Sequence, residues 1–149
     1  GRAVLVVAFQ MLCPGCVSQG LPQAQRARAT FRESDLAVIG LHTVFEHHEA
    51  QGSVVALQAF LHEYRVHFPV GIDAQDPDGP VTMRAYGMRG TPTTLLYDRA
   101  GELRLHEFGH VDDMRLGAAI MMAMAGASVT ADANANEDRG GVCKPDGCE

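Results

Sequence analysis

Ala3-Val4-Leu5-Val6-Val7-Ala8-Phe9, followed after Gln10 and Met11 by Leu12-Cys13-Pro14-Gly15-Cys16, is the stretch from which the fold is read. The first half is a short continuous apolar run rich in valine, the pattern of a strand covered on both faces. The second half is where a helical pattern begins. Two cysteines separated by two residues can close a disulfide within one helical turn, and a thiol in a helix's first turn lies near the positive end of the macrodipole. Cys13 is therefore placed to be a thiolate. The order is strand, dithiol, helix.

Downstream, Leu21, Ala24, Arg28 and Phe31 recur at helical spacing between Val17 and Arg32. Pro22 interrupts that pattern and predicts a kink near Gly20 to Leu21. Leu36 to Leu41 is a second buried strand, and the helix between the two strands predicts a right-handed parallel crossover. It runs into His42-Thr43-Val44-Phe45-Glu46-His47-His48-Glu49, read as a polar loop holding three of the seven histidines. Ser53 is a helix-cap candidate ahead of Val54, Leu57, Leu61 and Tyr64, which share one stripe. Phe68 to Asp73 reads as a third strand and Asp76-Pro77-Asp78-Gly79 as a turn. Pro80 to Tyr86 reads as a short helix ended by Gly87. Thr93 to Tyr97 and Glu102 to Phe108 are predicted as an antiparallel pair. Asp112-Asp113 opens a last helix whose predicted buried stripe is Met114, Ala118, Met121 and Met124.

The chain resembles the thioredoxin-like superfamily from about Ala3 to about Met124. The resemblance is carried by Cys13-Pro14-Gly15-Cys16, by Gly90-Thr91-Pro92-Thr93 ahead of an apolar strand, and by the Tyr97-Asp98-Arg99-Ala100-Gly101-Glu102 hairpin turn. It implies an α/β fold with a central mixed β-sheet flanked by helices on both faces, and a thiol–disulfide oxidoreductase acting on protein disulfides or dithiols. It assigns attack to an exposed Cys13 and resolution to a buried Cys16. It also makes the Thr91–Pro92 bond cis and turned toward the dithiol, and puts Pro14, Gly15, Thr91 and Pro92 at the substrate. Taken alone, Pro92 has the plainer reading of a proline that starts its strand in trans, and the cysteine pair with the strands around it favours cis. The TlpA-like or redoxin branch fits better than thioredoxin itself. The link from Asp73 to Tyr86 is long, the second strand ends in His42-Thr43, and Val7 stands where thioredoxins carry an acid. Gln19 stands where TlpA-like reductases carry a glutamate, and Leu12 where many relatives carry tryptophan, so proton handling has no residue assigned to it.

Composition narrows the partners. The length of 149 residues, 46% of them hydrophobic, fits one globular domain, predicted over 1–127. The net charge of −6, from 18 acidic and 12 basic residues, leaves no basic stripe for nucleic acid. No apolar run approaches the roughly 20 residues that cross a bilayer, so the chain as given is expected to be soluble. It opens at a core strand, which leaves room for a leader, an anchor or further strands before Gly1. Cytoplasmic and periplasmic settings both stay open, because a catalytic pair occurs in both.

Several features have plainer readings. Cys13 and Cys16 could be a structural disulfide or half of a zinc site, but zinc needs a second pair at suitable spacing, and the other two cysteines are at the far end of the chain. No cofactor and no metal are predicted. His47-His48 reads as a solvated loop, since neighbouring side chains point apart, and the methionines of the last helix read as core filler. Residues 128–149 lack apolar periodicity and are predicted to be a mobile tail. Its Cys143 and Cys148, spaced by Lys144-Pro145-Asp146-Gly147, are a local staple, a second redox pair or a metal trap. Two alternatives to the oxidoreductase remain: a peroxiredoxin-like peroxidase, disfavoured because Gln10 stands where that family carries threonine, and a non-catalytic binding module with a permanently oxidised dithiol.

Overall fold

The computed structural model describes residues 1–126. Its centre is β1 (Ala3–Phe9), parallel to β2 (Leu36–His42) on one side and antiparallel to β6 (Thr93–Tyr97) on the other. The edge strands β3 (Val70–Ile72) and β7 (Leu103–Phe108) complete the five-stranded mixed sheet in the order β3-β2-β1-β6-β7. A small ladder, β4 (Gln75–Asp76) with β5 (Gly79–Pro80), lies outside it. Helices α1 (Leu21–Thr30) and α3 (Val54–Glu63) make the two parallel crossovers, β1 to β2 and β2 to β3. With α5 (Asp113–Ala125) they cover Leu5, Val7 and Phe9. The opposite face buries Ala8 and Leu95 under Met88 and Met83, the latter from α4 (Val81–Ala85). The apolar run of β1 thus has protein on both sides, as its lack of alternation requires.

This layout places the dithiol. β1 delivers the chain to Cys13 at the sheet edge where parallel strands end, the usual position of a site in an open α/β sheet. Pro14 and Gly15 are already helical, so the proline sits where its missing N–H costs nothing. The next turn is not α. Cys16–Gly20 is a π-helical turn closed by the Leu21 N–H on the Cys16 carbonyl, and α1 continues from it. The predicted kink at Gly20–Leu21 is therefore a widened turn. Pro22 has no N–H for the Ser18 carbonyl and its ring crowds that carbonyl, which a wider turn relieves.

Other expectations are corrected. His42 is not in a polar loop; it is the last residue of β2, paired with Phe9 and 2% exposed. The loop after it contains a short helix, α2 (His48–Gln51), whose Gln51 is fully buried. In α3, Ser53 caps the helix through the Ala56 N–H, but only Leu57 of the predicted stripe is buried, while Val54 and Tyr64 are exposed. In α5 the buried stripe is Leu116, Ile120 and Ala123, and Met114 is 84% exposed. Both sets of residues fit helical spacing. Branched Leu116 and Ile120, with small Ala123, fill the layer over β1, while Met114 and Met121 are turned outward and Met124 packs against the edge of the core.

Candidate active site

Cys13 and Cys16 are joined by a disulfide across one turn, with Cα atoms 5.2 Å apart. The two sulfurs are not equivalent. Cys16 is fully buried in the cluster that holds Phe9, Leu21 and Ala24, whereas Cys13 is only partly covered. The Cys16 N–H donates to the Cys13 sulfur at 3.2 Å, and the Cys16 and Val17 N–H groups both donate to the Cys13 carbonyl at 3.1 Å. When the disulfide opens, Cys13 is thus the sulfur with a backbone donor already aimed at it.

The opposite wall is the Gly90–Pro92 loop. The Thr91–Pro92 bond is cis, and the Cys13 sulfur lies 3.4 Å from the Thr91 carbonyl oxygen. Pro92 is buried and Thr91 half-buried. Close packing holds this wall to the helix: a Cβ on Gly20 would sit 3.0 Å from Pro92 Cβ, and one on Gly15 would sit 3.4 Å from Pro92 Cδ. Behind it, Phe108 of β7 presses on Gly90, where a Cβ would come within 2.8 Å of the ring. The Gly109 N–H donates to the Pro92 carbonyl at 2.8 Å, and the Thr93 hydroxyl donates to the Gly90 carbonyl at 2.7 Å. The structure therefore brings Cys13, Pro14, Gly15, Cys16, Thr91 and Pro92 to one place, with Pro14 exposed. Cys143 and Cys148 lie outside the described residues.

Three buried polar residues near the dithiol were not singled out from sequence as parts of the site. Gln10 and Gln51, 1% and 0% exposed, bond to each other, Gln51 Nε2 donating to Gln10 Oε1 at 3.0 Å. Gln51 Oε1 accepts the Leu12 N–H at 3.1 Å, and Gln10 Oε1 accepts the Phe45 N–H at 3.2 Å. Gln51 Nε2 also donates to the Glu46 carbonyl at 2.8 Å, and Gln10 Nε2 to the Glu46 carboxylate at 3.4 Å. The third is His42, whose ring centre lies 5.4 Å from that of Phe9. Its Nε2 is the one buried side-chain polar atom without a partner among the described residues, and burial pushes its pKa below the ordinary value. Gln10 was legible as a polar residue closing an apolar run. Gln51 carried no such signal.

Val7 and Gln19 are the two positions at which the resemblance leads to the expectation of an acid. Val7 is buried beside Gly20 and Gln19 is exposed. No group of three or more His, Cys, Asp or Glu side chains among the described residues is arranged to hold a metal ion. No described helix is long and apolar enough to cross a membrane.

No protein-family profile matches the sequence. Among curated proteins, the thiol-disulfide oxidoreductase ResA of Halalkalibacterium halodurans is 26% identical over 115 residues, which is 76% of this chain. The chain spans 58% of that relative's length. Among solved structures, the thioredoxin-like superfamily protein SPOA0173 is 57% identical with a TM-score of 0.81, over 86% of this chain and 83% of that one. A thiol-disulfide isomerase from Corynebacterium glutamicum is 44% identical, also with a TM-score of 0.81, over 84% of this chain and 82% of its own.

Proposed function

The chain belongs to the thioredoxin-like superfamily, and we propose from that premise that it is a thiol–disulfide oxidoreductase working through Cys13 and Cys16 on protein substrates. The observation that carries the reading is the asymmetry of the pair: one sulfur partly exposed with an N–H on it, the other sealed in the core. The Cys13 thiolate attacks one sulfur of a substrate disulfide, and the other substrate sulfur leaves as a thiolate that takes up a proton. Cys16, once deprotonated, attacks the Cys13 sulfur of the mixed disulfide and releases the second substrate thiol. Two electrons and two protons pass to the substrate, and a dithiol partner must return them.

Thr91 and Pro92 fit the role of a substrate rest. Pro92 presents no N–H to compete for the sulfur, and the backbone of Thr91 can pair with an extended segment, as edge strands do. The alternatives make different predictions. Reduced protein mixed with insulin should precipitate the insulin chains while a dithiol reductant is consumed. Cys13→Ser should abolish that turnover, and Cys16→Ser should accumulate a covalent mixed disulfide. Absence of turnover in the unmodified protein supports a binding module instead. For Cys143 and Cys148 the preferred reading is a local staple, with a second redox pair feeding the first as the alternative, and unchanged insulin turnover after both are replaced by serine would remove that alternative.

A further inference from the structure

We propose that Gln51 is a positioning residue for the attacking thiol, acting through the Leu12 backbone; the inference rests on the oxidoreductase reading above and concerns the same site. The segment between β1 and the dithiol is three residues long and has no ladder partner, so its N–H groups need acceptors. Cys13 finds one in the Gln10 carbonyl at 3.3 Å. Leu12 finds one only in the side chain of Gln51, 39 residues away in sequence.

That acceptor is held with little freedom. Gln51 spends both amide hydrogens, one on Gln10 Oε1 and one on the Glu46 carbonyl, which orients its oxygen toward Leu12. Gln10 in turn ties down Phe45, so the loop after β2 is fastened to the loop before the dithiol at two points. The two backbone positions so fixed carry side chains that are apolar yet exposed, Leu12 at 57% and Phe45 at 36%. Burying two amides is tolerable only when they are bonded in this way. A leucine at either position would fill the space and leave an N–H stranded. The costlier arrangement lies in the loop that leads directly into Cys13, whose sulfur accepts the Cys16 N–H at 3.2 Å.

Gln51→Met keeps the length of the side chain and removes both polar ends. With Leu12 released, Cys13 no longer holds its sulfur on the Cys16 N–H. Alkylation of reduced Cys13 at about pH 6 should slow about tenfold, the size of losing one hydrogen bond to a charged group, with its apparent pKa shifted up accordingly. Thr43→Val serves as the comparison. It breaks another buried bond, from the Thr43 hydroxyl to Asp73 at 3.0 Å, and should lower stability while leaving the Cys13 pH profile unchanged. An unchanged profile in folded Gln51→Met would overturn the proposal even with insulin turnover intact in the unmodified protein. Should that variant not fold, amide hydrogen exchange in the unmodified protein decides. A Leu12 amide protected in both redox states supports the tether, and one exchanging at the free-peptide rate refutes it.

Discussion

The β6–β7 turn and the loop beside the dithiol both use buried side chains to satisfy backbone N–H groups, and they use opposite chemistry. At the turn between β6 and β7, Asp98 accepts from the Ala100 and Glu102 N–H groups at 2.8 and 3.0 Å, and from Arg104 Nε at 2.6 Å. Beside the dithiol, Gln51 and Gln10 accept from Leu12 and Phe45. A carboxylate makes the stronger hydrogen bond, and at the hairpin it is used. Burial by itself would raise the Asp98 pKa, but the Glu102 N–H, the Arg104 guanidinium and the Ala100 N–H outweigh it and hold the carboxyl below its ordinary range. Near a sulfur that becomes an anion on reduction, a second negative charge would raise the thiol's pKa. The groups that accept directly from Leu12 and Phe45 are neutral amides, and the nearest carboxylate of the network, Glu46, stands one step back on Gln10 Nε2 at 3.4 Å.

The contrast can be broken or sharpened by substitution. The largest effect is expected at the dithiol end, from Gly20→Ala. Its Cβ would press on Pro92 at 3.0 Å, costing about 1–3 kcal/mol of stability as overpacking does. The few tenths of an ångström by which Pro92 must then give should lower kcat/KM by roughly tenfold, less than the ~10²-fold toll of a full ångström. Insulin turnover and denaturant titration on the same sample check both numbers. Asp98→Asn should show the reverse pattern: a lower denaturant midpoint, with Cys13 alkylation and insulin turnover unaltered. Lost turnover in that variant would mean the two ends are not independent.

The smallest effect concerns His42. Its pKa is lowered in the folded protein by burial, so below about pH 6.5 the unfolded chain binds more protons than the folded one. Stability contributed by the neutral ring is present above that pH and is lost as pH falls toward the folded value, with a slope of at most about 1.4 kcal/mol per pH unit. His42→Phe, placed against Phe9, should flatten this part of the stability profile, read by denaturant titration across the acid range. A profile no flatter than that of the unmodified protein would assign the acid sensitivity elsewhere.

The sheet was legible because its signals are local. A valine run, a dithiol at a helix start and a hairpin turn each occupy a few adjacent residues, and their order fixes the strand pairing. What was not legible depends on distant partners. Gln51 looks like any polar residue in a histidine-rich loop until β2 brings it under Leu12. The methionine and Leu116–Ile120–Ala123 stripes of α5 share one helical period, and only packing on β1 chooses between them. The π turn at Cys16–Gly20 is the structural answer to Pro22, for which the sequence indicated a disturbance without its form. Within the site, the two cysteines and Pro92 could be named from motifs, whereas the amides that steady them could not.

Disulfide exchange here requires Cys13 to be an accessible thiolate held by the Cys16 N–H, and the pH dependence of alkylation in the reduced protein tests this directly. One thiol, identified as Cys13 by peptide mapping, should react first, with an apparent pKa well below the roughly 8.5 of a free cysteine. Equal labelling of Cys13 and Cys16, or a Cys13 titration at or above that free value, would contradict it.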